Sequence, residues 1–244
     1  MIIYILVIAH FLADFTFQST RLAYCKLNSN RDFLCHASIY AFILLIAIFP
    51  FVKFSRAIIP YIIIIISHSF IDWIRINVDK KFKGKQTITF ISFIMDQILH
   101  VLILIVLYHA FNLGVETTEL YCLIQQWPYF NNLVIYCLVF IILWDPTAVF
   151  IKKIFIYISN ENNYVQENND LQVGRIIGKL ERIIISILIL NNQYSAVGFV
   201  LTAKSIARYK QLEEKNFAEK YLVGTLTSVL IAIIVTILLK QFLK

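Results

Sequence analysis

Apolar residues run almost unbroken through seven stretches of the chain, roughly residues 2–19, 34–52, 57–74, 88–112, 132–151, 176–207 and 221–240. The polar breaks between them are short: Asn28–Asp32, Lys80–Lys85, Glu116–Glu119 and Asn160–Asp170. Runs such as Ile58–Ile66 and Val229–Leu239 leave no wet face on a helix. A membrane-crossing helix needs about 20 apolar residues, so the pattern predicts an all-α, polytopic transmembrane bundle of about seven or eight membrane segments. Asn160–Asp170 is the one linker-like stretch. It sets a soft boundary between a five-helix block, 1–157, and a C-terminal membrane block, 171–244. No internal repeat stands out.

The stretch 176–207 departs from a plain span. It opens on the polar Gly174–Arg182, continues with eight apolar residues at 183–190, and is broken by Asn191-Asn192-Gln193-Tyr194. Eight helical residues rise only about 12 Å, against a hydrocarbon core of about 30 Å. A re-entrant hairpin or two short tilted spans are both expected, with 191–194 buried inside the bundle because non-helical backbone is not tolerated against lipid.

Composition narrows the class. Hydrophobic residues make up 59% of the 244 and charged residues 15%, whereas soluble domains average about 45–50% and about 25%. With a mean hydropathy of +0.75, a water-soluble globular domain and a disordered chain are both ruled out. The net charge of +7 would raise nucleic acid as a partner in a soluble protein. Here the positives sit in short loops, so nucleic acid is not expected and membrane lipids are. With the N-terminus outside and spans alternating, 18 of the 22 Lys and Arg residues fall on one side. That side is then cytoplasmic. The four cysteines, Cys25, Cys35, Cys122 and Cys137, have no ligand-like spacing. The first run lacks a cationic n-region and a small-residue cleavage site, so it reads as an uncleaved first helix rather than a signal peptide.

Four of the five histidines share one arrangement. His10 and Asp14 are four residues apart, with Gln18 one step further. His68 and Asp72 repeat the spacing, and Asp96 and His100 reverse it, with Gln97 beside Asp96. His36 opens the second long run, after Lys26 in the preceding loop. Residues four apart in a helix project from one face, and an imidazole and a carboxylate one turn apart can hold a divalent cation. Ionisable groups in a membrane helix are costly and face the bundle interior. Alternating spans put all seven groups in the cytoplasmic half, whereas His109 falls on another face near the opposite end. His10, Asp14, His36, His68, Asp72, Asp96 and His100 are therefore candidate ligands for a divalent metal, zinc or manganese, and two ions would use them all. The competing reading is interhelical polar packing.

These residues carry a resemblance. The pattern His10-x3-Asp14-x3-Gln18, Lys26, His36, His68-x3-Asp72, Asp96-Gln97-x2-His100 is similar to that of a bacterial integral-membrane family known as a domain of unknown function, over about residues 1–110. Gly174–Arg182, Gln193-Tyr194, Ala203–Tyr209 and Gly224-Thr225-Leu226 resemble a tail found in many of its members. The spaced His/Asp pattern is also distantly similar to metal-dependent hydrolases of the inner membrane. The resemblance implies a multi-pass protein of the bacterial cytoplasmic (inner) membrane and raises hydrolysis as an activity, with no substrate named.

Three functional readings follow. The first is a metal-dependent hydrolase acting on a lipid or lipid-linked phosphoester at the cytoplasmic leaflet, with Asp96 as general base and Lys26 on the phosphate. The second is a proton- or metal-ion-coupled transporter, since intramembrane His/Asp chains line such pathways. The third is a structural membrane subunit without catalysis. Arg175, Lys179 and Arg182 share one helical face and are candidates for lipid head groups or phosphate, or a plain interfacial basic stripe. Glu181 is expected to pair with Lys204 or Arg208. Asp145, before Pro146, either joins the site or serves the proline break. Trp127, Tyr129 and Phe130 read as an interfacial belt.

Overall fold

The computed structural model describes residues 1–27, 29–159 and 169–243. The polar stretch 160–168, most of the expected linker, lies outside the described residues. Among the described residues ten α-helices follow one another: α1 (Ile2–Phe11, continued by a π-turn over Leu12–Thr16), α2 (Thr20–Cys25), α3 (Asn30–Ile48), α4 (Phe54–Lys81), α5 (Gln86–Ala110), α6 (Glu119–Gln125), α7 (Phe130–Ser159), α8 (Asn169–Leu190), α9 (Tyr194–Ala207) and α10 (Lys215–Lys240). Among the described residues there is no strand beyond an isolated bridge between Val52 and Thr117. Five helices (α3, α4, α5, α7 and α10) are long and apolar enough to cross a membrane, and α1 with its π-turn and α9 are shorter apolar helices. Large apolar residues such as Phe42, Ile66, Ile98 and Leu226 face outward, which suits a lipid solvent.

The chain divides into two compact units, Met1–Leu138 and Val139–Lys244. The division falls inside α7, nearer the N-terminus than the soft boundary read after residue 157. Proline and polar breaks in sequence do not show which neighbours a continuous helix serves along its length.

In the first unit α1, α3, α4 and α5 close a four-helix ring: α1 packs on α3 and α5, α3 on α4, and α4 on α5. Each helix turns one stripe of three- and four-residue spacing inward. The stripes are Ile2, Leu6, His10 and Ala13 with Asp14; His36, Tyr40, Leu44 and Ile48; Ala57, Ile64, His68 and Asp72; and Asp96, His100, Leu104 and Leu107. Successive helices run in opposite directions, so every stripe is polar at one end of the ring and apolar at the other. Ile2, Leu6, Leu44, Ile48, Ile64, Leu104 and Leu107 pack into one core beyond the polar end. The far end is clasped by its loops: Lys53 N–H donates to Glu116 O at 3.1 Å, Thr118 N–H to Phe51 O at 3.1 Å, and Arg56 pairs with Glu116 at 2.8 Å.

In the second unit α8 and α10 run side by side in the same direction. Thr236 donates to Ser186 at 2.9 Å, and Lys240 Nζ donates to Ile189 O at 2.8 Å and Asn192 Oδ1 at 2.7 Å. The turn between α8 and α9 therefore sits level with the C-terminal end of α10. Asn191, Asn192, Gln193 and Tyr194 are exposed, which corrects the expectation of a buried tip. The tight three-residue reversal takes a left-handed residue, and Asn192 supplies it at φ +60°. Tight packing elsewhere rests on glycine: a Cβ on Gly224 would stand 2.8 Å from Phe155 Cζ. A Gly224→Leu chain should unfold more easily by about 1–3 kcal/mol, the usual range for overpacking. Adding Phe155→Ala should return part of the loss in a thermal melt, whereas an unchanged single-variant melt would mean that the ring simply swings aside.

Candidate metal centre

The polar ends of the four stripes meet. Asp14 is brought in by the π-turn, whose wider bond runs from Phe17 N–H to Leu12 O at 2.8 Å. Such turns occur mostly as single insertions, frequently at functional sites. His36 comes from the second turn of α3, whose start is capped by Ser29 accepting from Asp32 N–H at 3.3 Å. His68 and Asp72 come from α4, and Asp96 and His100 from the middle of α5. All seven are buried, as is Lys26.

The shortest contacts cross between helices. His68 Nε2 lies 3.0 Å from Asp14 Oδ1, His36 Nε2 lies 3.6 Å from the same oxygen, and His36 Nε2 is 3.2 Å from Asp72 Oδ2. The pairs within one helix are looser, 4.0 Å for His10–Asp14 and 3.8 Å for His100–Asp96. The imidazoles crowd together, with ring centroids of His68 and His100 at 4.3 Å and of His10 and His100 at 5.1 Å.

Three overlapping triads bring their ligand atoms within 4.8 Å of one another: His10, Asp14 and His100; Asp14, His36 and His68; and Asp72, Asp96 and His100. Metal–ligand bonds of about 2.0–2.1 Å in a tetrahedron put neighbouring ligand atoms about 3.3 Å apart. The contacts around Asp14 Oδ1 and His36 Nε2 bracket that distance. A second observation points the same way. Both ring nitrogens of His10, Nδ1 of His36 and of His100, and Oδ1 of Asp96 are buried with no hydrogen-bond partner. Each orphaned group costs about 1–3 kcal/mol. Several in one cluster suit atoms whose partner is a ligand, so the residues fit a divalent cation.

Two carboxylates carry a cation of their own. Lys26 Nζ donates to Asp72 Oδ2 at 2.9 Å. With its amide turned so that both ends are satisfied, Gln18 donates to the Asp14 carbonyl and accepts from Lys26 Nζ, both at 2.9 Å. Asp96 Oδ2 accepts from Arg75 Nη1 and from Gln97 Nε2, both at 2.9 Å.

Residues 2–130 match a family described as Protein of unknown function (DUF3307). The chain belongs to that family. No curated protein and no solved structure matches the chain. The matched stretch nearly coincides with the first unit and contains the whole constellation, so the polar cluster lies in the family's own domain.

Sequence reasoning missed Arg75 and Tyr40 as members of the cluster. Arg75 follows Asp72 by three residues and Tyr40 follows His36 by four, so helical spacing was the available signal. The Tyr40 ring stacks on His68 at 3.5 Å between centroids and fixes its plane. His109 is exposed, outside the cluster as expected.

The basic face read in the C-terminal block separates into different roles. Arg182 is 2% exposed. Its guanidinium donates to Leu143 O at 2.7 Å, Trp144 O at 3.3 Å and Ser228 Oγ at 3.2 Å. This corrects its reading as a head-group ligand. Pro146 lacks an N–H for the carbonyl of Ile142, inside a helix that continues through it. Thr147 Oγ1 donates to Ile142 O at 2.7 Å, and Arg182 serves the next two carbonyls. Lys179 is ion-paired with Asp145 and lies 5.0 Å over the Trp144 ring. Glu181 pairs with Lys204, as one of its two expected partners. Arg175 is exposed.

Proposed function

We propose that the first unit is a membrane-embedded, metal-dependent hydrolase of a lipid or lipid-linked phosphoester. The observation that carries the reading is the buried convergence of four histidines and three aspartates, five of whose polar atoms make no hydrogen bond. Asp14, His36 and His68 hold the ion, with His10 and His100 at its margin. A divalent ion in such a site lowers the pKa of bound water and polarises a phosphoryl oxygen. Asp96 Oδ1, free of hydrogen bonds, is the general base. It takes the proton of the attacking water, which the leaving oxygen finally receives as its bond to phosphorus breaks.

The surroundings favour a lipid substrate. Arg21, Arg31, Lys80, Lys81, Lys83 and Lys85 are exposed on the segments that flank the polar end of the bundle. Basic clusters at a membrane surface attract anionic head groups. Given alternating spans, the same bias supports an outside N-terminus and a site in the cytoplasmic half of the membrane. Transport is less well supported. The core beyond the site is apolar through Leu6, Leu44, Ile64 and Leu104, each at most 2% exposed, and offers an ion no polar path.

The test is hydrolysis of a phospholipid panel by detergent-purified protein with zinc or manganese added. The expected result is metal-dependent release from at least one lipid, abolished by Asp96→Asn. A folded, metal-loaded protein inert on the whole panel would end the hydrolase reading. Metal- or proton-driven flux in proteoliposomes would put the transporter in its place.

A further inference from the structure

Lys26 and Arg75 are the cations that reach into the constellation, one from each side. Lys26 stands on the loop after α2 and binds Asp72, while Arg75 stands on α4 one turn beyond Asp72 and binds Asp96. Both carboxylates belong to one candidate triad with His100, so the two cations flank the same group of ligand atoms. Gln18 holds the Lys26 ammonium from behind. Phe93 lies 5.2 Å from the Arg75 guanidinium and Asp79 lies 3.9 Å from its Nε, which together fix its plane. The two side chains differ in access. Lys26 is 8% exposed and Arg75 is 21% exposed, so the cluster opens at Arg75. That opening is flanked along the chain by the outward-facing apolar residues Ile74 and Met95.

The donors decide what belongs there. Guanidinium and ammonium groups are the usual donors to phosphate oxygens, Arg as a planar fork and Lys as a point charge.

We infer that Lys26 and Arg75 form the anion subsite of this centre, binding the non-bridging oxygens of a phosphate group beside the metal ion. This rests on the metal-dependent reading above and assigns the two cations as substrate-binding residues, with Gln18 as a positioning residue. The shared chemistry is a phosphate anion, free or on a lipid.

The experiment measures manganese content first. It then titrates inorganic phosphate, and separately short-chain phosphatidylglycerol, into the detergent-solubilised full chain by calorimetry, with and without manganese. The wild-type protein should bind one manganese and then bind the anion. Lys26→Gln and Arg75→Gln should each weaken anion binding about tenfold or more, the size of a lost charge-assisted hydrogen bond, with metal content unchanged. Lys26→Arg and Arg75→Lys, which keep the charge that Asp72 and Asp96 need to stay paired, should recover most of the affinity and cover the case in which the glutamine variants do not fold. Tighter binding of the lipid than of phosphate would identify the head group as the source, and the reverse would identify the free anion. Metal bound with no anion binding, or anion binding indifferent to all four variants, overturns the subsite alone. Anion binding lost in the variants but independent of manganese keeps the subsite and overturns the metal reading. Neither metal nor anion bound overturns both.

Discussion

A His68→Ala chain should lose its divalent ion. His68 sits at the centre of the cluster, 3.0 Å from Asp14 Oδ1 and in ring contact with His36, His100 and Tyr40. Alanine removes one of the three atoms of the tightest triad and opens a hole between the others. Losing a mere outer partner of a metal ligand costs about 10–100-fold in affinity, so losing the ligand itself should cost about 100-fold or more. Mass-spectrometric metal analysis of protein purified without chelators should find about one ion per wild-type chain, as a single site requires, and essentially none in the variant. Tyr40→Phe keeps the stacked ring and should keep the metal. A melt of each chain separates loss of metal from loss of fold. Wild-type protein purified in zinc and manganese yet free of both would leave the cluster as interhelical polar packing, and His68→Ala would then show only a stability cost.

Arg182→Met should be among the most destabilising single changes in the second unit. The methionine fills most of the arginine's volume but leaves the carbonyls of Leu143 and Trp144 without their side-chain donor in an apolar interior. Leaving a buried acceptor without its donor costs about 1–3 kcal/mol, and two carbonyls lose theirs here. Part of the cost depends on the break made by Pro146. Pro146→Ala restores an N–H to α7 and should lower the penalty of Arg182→Met in a double-mutant cycle. Denaturant-driven unfolding in mixed micelles reads both quantities. If Arg182→Met instead left stability untouched and abolished binding to anionic vesicles, the head-group role expected from the basic stripe would return.

The local chemistry of the site was legible because helical periodicity is a property of the chain. Three His/Asp pairs four residues apart had to project from single faces, and alternating spans had to bring them to one end. The partners were not legible. Intrahelical spacing suggested His10 with Asp14 and His68 with Asp72, yet the closest pairs are His68 with Asp14 and His36 with Asp72. Residues four apart in a helix have Cβ atoms about 5–6 Å apart. Side chains directed at the bundle axis therefore meet those of neighbouring helices before they meet each other.

The sequence by itself determined the solvent this protein lives in, its all-helical class, and the face and end on which the histidines and aspartates stand. Those follow from hydropathy and from a period of 3.6 residues. Only the tertiary structure decided that Arg75 and Tyr40 join the cluster, that Asp14 enters through a π-turn, and that Arg182 belongs to the proline break rather than to the surface. Each of these depends on what a second helix places opposite a side chain: an unpaired carboxylate for Arg75, an imidazole face for Tyr40, and open carbonyls for Arg182. A pattern read along one strand of chain carries no record of that distance.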